Sequence, residues 1–171
     1  MKRIACVTFA VALLAAAAAR AAGSDADVLR EARDRAEIEQ LMWRYVRALD
    51  TLDENAYAAT YTPDGRFGSG SNAAQGTAGL KKMIADVRQR QAERAANGGP
   101  KQGAMYHAIA NSWLEFVDHD HARLHSYWMT MFAAPDPTGQ PRVAAVGHSI
   151  DELVRTGGHW LIHVRDVAPK D

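Results

Sequence analysis

Side chains that can move a proton are plentiful in this chain, and those suited to most other chemistry are scarce. Seven histidines and 20 Asp and Glu residues stand against one cysteine, Cys6, which falls in a segment expected to be removed. The mature chain is therefore expected to lack a thiol nucleophile, a disulfide and a cysteine metal site. Asp118-His119-Asp120-His121 has metal-ligating residue types. It falls where a tight turn is expected, whereas a metal site wants three or four ligands on a firm scaffold, and no metal is expected there. No Gly-x-Ser-x-Gly elbow occurs, and Gly147-His148-Ser149 sits inside a strand pattern rather than at a strand-to-helix turn. Gly68-Ser69-Gly70 has no following Lys-Ser/Thr and is no phosphate loop, and Asn111-Ser112-Trp113 is no glycosylation acceptor. General acid/base chemistry remains. An imidazole ordinarily titrates near pH 6.5, so a histidine whose tautomer a carboxylate fixes can both take and return a proton.

These residues need a frame. Across residues 27–52, Val28, Ile38, Leu41, Tyr45, Ala48, Leu49 and Leu52 recur at three-, four- and seven-residue spacings with charge between them, predicting an amphipathic helix. A shorter helix over residues 54–61 ends at Thr62-Pro63-Asp64-Gly65, where proline and glycine predict a turn. A short strand around Phe67 and a Gly/Ser loop lead to a third helix over residues 77–96, with Leu80, Ile84 and Val87 on its buried side. After Pro100 the period changes to alternation. Strands are expected over residues 105–117, 122–134, 142–155 and 159–167, separated by turn residues. Helices followed by an antiparallel meander imply an α+β domain with its helices on one face of a strongly curved sheet.

Alternation also decides which side chains can share a cavity. On the first long strand His107, Ile109, Asn111 and Trp113 share a face. On the second, Arg123, His125, Tyr127, Met129 and Met131 go together, and on the third Gly147, Ser149, Asp151 and Leu153 do. Each set mixes large apolar groups with a few ionisable ones, which suits an apolar pocket with a small number of placed polar groups. Such walls, with Phe67 and Trp113 among them, favour a small ring-bearing hydrophobic molecule over a sugar or a nucleotide.

Lys2 and Arg3 precede an apolar run from Ile4 to Ala19, followed by Ala19-Arg20-Ala21. This is the pattern of an export signal over residues 1–22, cleaved near Ala21 or Ala22, with a single domain over residues 23–171 and an expected destination in the periplasm or outside the cell. The run is short for a membrane span, which needs about 20 apolar residues, so no membrane attachment is expected after cleavage. The chain balances 20 Lys+Arg against 20 Asp+Glu, and losing Lys2, Arg3 and Arg20 leaves about −3. Such a balance gives no case for a nucleic-acid partner. An exported destination also disfavours ATP or nicotinamide chemistry, and no cofactor is expected.

Four segments carry a resemblance: residues 45–53 (YVRALDTLD), 61–67 (YTPDGRF), Met105-Tyr106-His107, and residues 147–162 (GHSIDELVRTGGHWLI). In this order they resemble the SnoaL-like branch of the nuclear transport factor 2-like superfamily, nearest in motif to scytalone dehydratase and the bile acid dehydratases. The resemblance implies a cone-shaped α+β barrel and a histidine on the first long strand, His107, set against an aspartate at the end of the first helix, Asp50. It implies that Tyr45 faces the cavity, that Ser149 and Asp151 line it, and that His125 and Arg165 stand near it. Tyr61, Tyr127 and Met129 complete the expected pocket. A homodimer paired through the sheets is implied as well. The implied activity is a dehydratase-type lyase on a hydroxylated aromatic or polycyclic molecule. An isomerase, an aldehyde-releasing lyase, and a binding protein without turnover stay open.

Overall fold

The computed structural model describes the backbone of residues 4–170 and the side chains from Asp25 onward. The expected export signal, residues 1–22, therefore lies outside the described side chains. Two compact units are distinguished, Met1–Ala36 and Glu37–Asp171. In the first, Val28 and Leu29 are exposed. Among the described residues no helix is long and apolar enough to cross a membrane.

In the second unit the last part of helix α1 (Ile4–Asp50) has an apolar face. Ile38, Leu41, Met42, Tyr45, Val46 and Ala48 are buried, while Trp43 stays two-thirds exposed, as a 3.6-residue period requires. Helix α2 (Glu54–Ala58) starts where the Asp53 carboxylate accepts the Asn55 and Ala56 N–H groups, satisfying donors that a helix N-terminus leaves open. Strand β1 (Tyr61–Phe67) leads through a 3-10 turn, Gly70–Asn72, to the short strand β2 (Ala74–Gln75) and helix α3 (Gly76–Ala96), which buries Leu80 and Ile84 completely. The meander follows as β3 (Met105–Phe116), β4 (His121–Phe132), β5 (Arg142–Thr156) and β6 (His159–Asp166).

The six strands form one sheet in the order β2-β1-β6-β5-β4-β3. β1 lies parallel to β6 and every other pairing is antiparallel. This is the expected α+β arrangement of helices against a mainly antiparallel sheet, and the sheet is open, with β2 and β3 at its edges.

Irregularities in the strands place the polar residues. The segment read as a turn at residues 62–65 is instead part of β1: Tyr61 pairs with Ile162 and Arg66 with Val164, so the intervening residues bulge. Pro63 cannot donate to a ladder, and the pairing gives way around it. In β3 the register breaks between Ala110 and Trp113, and Asn111 takes a left-handed φ of 50°, which asparagine tolerates better than most residues. The bulge turns Leu114 inward and Trp113 outward. In β6, Val164 pairs with Glu152 and Ile162 with Leu153. His163 is thus the extra residue, and the shift brings Arg165 to the buried face that also holds Trp160 and Ile162.

Candidate functional site

A cavity of about 210 Å³ opens between the end of α1 and the inner face of the sheet. Helix α1 supplies Tyr45, Val46 and Leu49, β1 supplies Phe67, and β3 supplies His107 and Ile109. Trp128 and Thr130 come from β4, Ala145 from β5, and Arg165 and Val167 from β6 and the residues just after it. The lining is apolar except for a few placed groups, the usual make-up of a small-molecule site.

Asp50 is the last residue of α1, and His107 sits near the start of β3. The structure brings them together. Asp50 Oδ1 accepts both the His107 backbone N–H at 2.9 Å and the ring Nδ1 at 2.8 Å. Its other oxygen lies 3.7 Å from an Arg47 guanidinium nitrogen. The two side chains are 15% and 7% exposed, so the pair is shielded yet borders the cavity. An ionised carboxylate can only accept, which puts a proton on Nδ1 and leaves Nε2 as the lone-pair nitrogen of the neutral ring.

Behind the cavity lies a second polar cluster. Arg165 is ion-paired with Asp151, the two side chains being 2% and 0% exposed. Its guanidinium stands 4.7 Å from the centre of the Tyr45 ring. Tyr45, Tyr57 and Tyr61 pack together with ring centres 5.3 to 6.2 Å apart, and the Tyr57 and Tyr61 hydroxyls are 3.0 Å apart. Burial pushes the Tyr45 phenol above its ordinary value, and the same cause acts more strongly on Tyr57 and Tyr61. All three stay protonated and able to donate. Burial likewise pushes the Asp151 carboxyl up to about 7, against the pull of Arg165. Burial opposes the charge on Arg165, but Tyr45 and Asp151 outweigh it and hold the guanidinium above its ordinary value.

The expected site residues therefore divide. His107, Tyr45, Phe67 and Arg165 line the cavity, and Asp50 holds His107 from behind. Tyr61 and Asp151 belong to the buried cluster. Ser149 is buried, its hydroxyl 3.0 Å from that of Ser126, and it is not among the lining residues.

Trp113, His125, Tyr127 and Met129 stand on the opposite face of the sheet. The bulge at Asn111 reverses the parity of β3, and β4 presents Leu124, Ser126, Trp128 and Thr130 inward instead of the set containing His125. Trp113 and Tyr127 are 60% and 59% exposed, and the Trp113 and His125 rings pack 4.7 Å apart. Met129 pairs across the ladders with Ala108 and Val146.

Trp128 and Thr130 are the lining residues that alternation assigned to the other side. One signal for the inward set was Ala122 and Leu124, apolar at the start of β4 and nearly fully buried. His119 stays in the turn and His121 opens β4, its N–H donating to the Asp118 carboxylate at 2.8 Å. Among the described residues no group of three or more His, Cys, Asp or Glu is placed to hold a metal ion.

A family model described as SnoaL-like domain matches residues 30–166. Solved structures share the architecture. A nuclear transport factor 2-like protein with a cystatin-like fold from Novosphingobium aromaticivorans is 24% identical, with a TM-score of 0.67 over 85% of this chain and 88% of that one. ActVI-ORFA from Streptomyces coelicolor is 24% identical, with a TM-score of 0.65 over 78% of this chain and 95% of that one. A protein from Catenulispora acidiphila, solved in complex with S-DNPA, is 23% identical, with a TM-score of 0.62 over 78% of this chain and 91% of that one. At these identities the likeness is one of fold. A comparison with curated proteins gave no match.

Proposed function

The chain belongs to the SnoaL-like domain family, and on that premise we propose that it is an exported, cofactor-independent lyase that removes water from a small hydroxylated aromatic molecule. The observation that carries the reading is the 2.8 Å contact between His107 Nδ1 and Asp50 at the wall of an otherwise largely apolar cavity. His107 Nε2 takes a proton from the carbon next to the hydroxyl-bearing one. The C–O bond then breaks, a C=C bond forms, and the same proton leaves with the hydroxyl as water. Asp50 holds the ring tautomer and stabilises the imidazolium between the two steps. The Tyr45 phenol, kept protonated by burial, donates toward oxyanion charge that develops on the substrate.

On the far side of the sheet Tyr106, Trp113, Tyr127, Val143 and Val146 are exposed. This apolar face supports pairing of two copies through their sheets. Sedimentation of the purified protein and sequencing of its N-terminus read the dimer and the export cleavage directly.

The catalytic reading is tested with ring compounds carrying a hydroxyl β to a carbonyl, following loss of water by mass spectrometry. His107→Ala should slow the reaction by about 10²–10⁴. An unchanged rate removes His107 from the mechanism.

A further inference from the structure

Trp128 is held more firmly than packing alone requires. Its indole N–H is shared between the His148 carbonyl at 3.1 Å and the Val167 carbonyl at 3.2 Å. The ring thus reaches from β4 across β5 to the residue after β6. It can do so because its ladder partner is Gly147. A Cβ at Gly147 would lie 2.6 Å from Trp128 Cζ2, 2.8 Å from Cε2 and 3.0 Å from Nε1. A rigid ring tied to two carbonyls cannot absorb such an approach, so a methyl group there must drive the indole off its seat. One side of that seat is the sheet backbone, and Trp128 itself lines the cavity, with Ala145 and Val167 beside it. The free direction leads into the cavity.

We propose that Gly147 and Trp128 together set the specificity of this cavity, admitting one substituted aromatic ring and excluding a fused pair. The inference rests on the small-aromatic reading above and narrows it. The volume argues for it: an apolar cavity of about 150 Å³ takes benzene, and this one measures about 210 Å³. It is also smaller than the ~300–1,000 Å³ typical of sites for drug-sized ligands. The walls argue for an aromatic ring, since Tyr45, Phe67, His107 and Trp128 present flat rings from four different elements.

The test is binding of p-cresol and 2-naphthol to the full chain by calorimetry, so it does not depend on turnover. The wild type should bind p-cresol about tenfold or more tightly than 2-naphthol, the scale on which a pocket discriminates by size. Gly147→Ala should lose p-cresol affinity by about tenfold or more. In Gly147→Ala/Trp128→Ala the methyl group has room, and the preference should reverse toward 2-naphthol. Three results would each overturn the inference: p-cresol affinity of Gly147→Ala within twofold of wild type, equal binding of both phenols by the wild type, or binding of neither. The lyase reading is tested by loss of water in His107→Ala and this inference by phenol binding with His107 in place, so the two failures are distinguishable.

Discussion

Two carboxylates in this protein each hold a nitrogen base, and they are built for opposite ends. Asp50 grips His107 at the wall of the cavity, where the histidine keeps some exposure and one ring nitrogen outside the pair. Asp151 grips Arg165 in full burial, with Tyr45 stacked against the guanidinium. An imidazole can give up its proton near neutral pH and a guanidinium cannot. The first pair is therefore fitted to shuttle a proton, and the second to fix α1, β5 and β6 around the space in which the shuttle works.

The largest effect is expected from splitting the sealed pair. Asp151→Leu strands a guanidinium that cannot neutralise itself, and should cost about 3–5 kcal/mol in urea unfolding. Arg165→Met should cost less, because the carboxyl left behind can take up a proton. The double variant Asp151→Leu/Arg165→Met should be the most stable of the three, since well-packed apolar groups replace a buried pair at little cost. Equal losses in both single variants would mean that Asp151 does not titrate within the fold.

Asp50→Asn probes the other pair and should be milder, at about 1–3 kcal/mol, because the amide keeps the shape and loses only charge-assisted hydrogen bonds. Its distinctive consequence is spectroscopic. In a nitrogen-15 NMR spectrum of the imidazoles, one Nδ1–H signal, identified by its absence in His107→Ala, should move when Asp50 is neutralised. A spectrum that ignores the substitution would detach the two residues.

Much of this frame was legible in the sequence. Four strands after Pro100, the third helix and the apolar face of α1 follow from periodicity, which burial enforces along whole elements. The meeting of His107 with Asp50, 57 positions apart, has no local signature and came from family resemblance. Parity failed at β3 and β4 for two physical reasons. The bulge at Asn111 depends on a left-handed conformation that asparagine permits without demanding. On β4 both alternating sets mix aromatic, apolar and polar residues, so composition could not say whether Trp128 or Tyr127 faced inward. Gly147 carried the missing information, because a glycine opposite a tryptophan marks where a large ring must lie close to the backbone.

The smallest expected effect per unit change of condition is also the one that most sharpens the contrast between the pairs. Asp151 titrates near 7 in the folded chain because burial raises it, and near 3.9 when unfolded. Between those values the folded chain holds a proton that the unfolded chain has released. Stability contributed by Asp151 is therefore complete below about pH 4 and declines as pH rises toward about 7, by at most about 1.4 kcal/mol per pH unit. The groups acting on Asp151 are Arg165 and Asp166 from β6, and a guanidinium keeps its charge across that range. The comparison is with Asp151→Leu/Arg165→Met, which retains every other ionisable group. Urea unfolding at pH 4.5, 5.5 and 6.5 should show wild type losing stability relative to the double variant as pH rises. Parallel curves would mean that Arg165 keeps Asp151 ionised throughout, and the sealed pair would then be a permanent charge pair rather than one that shares a proton with the interior.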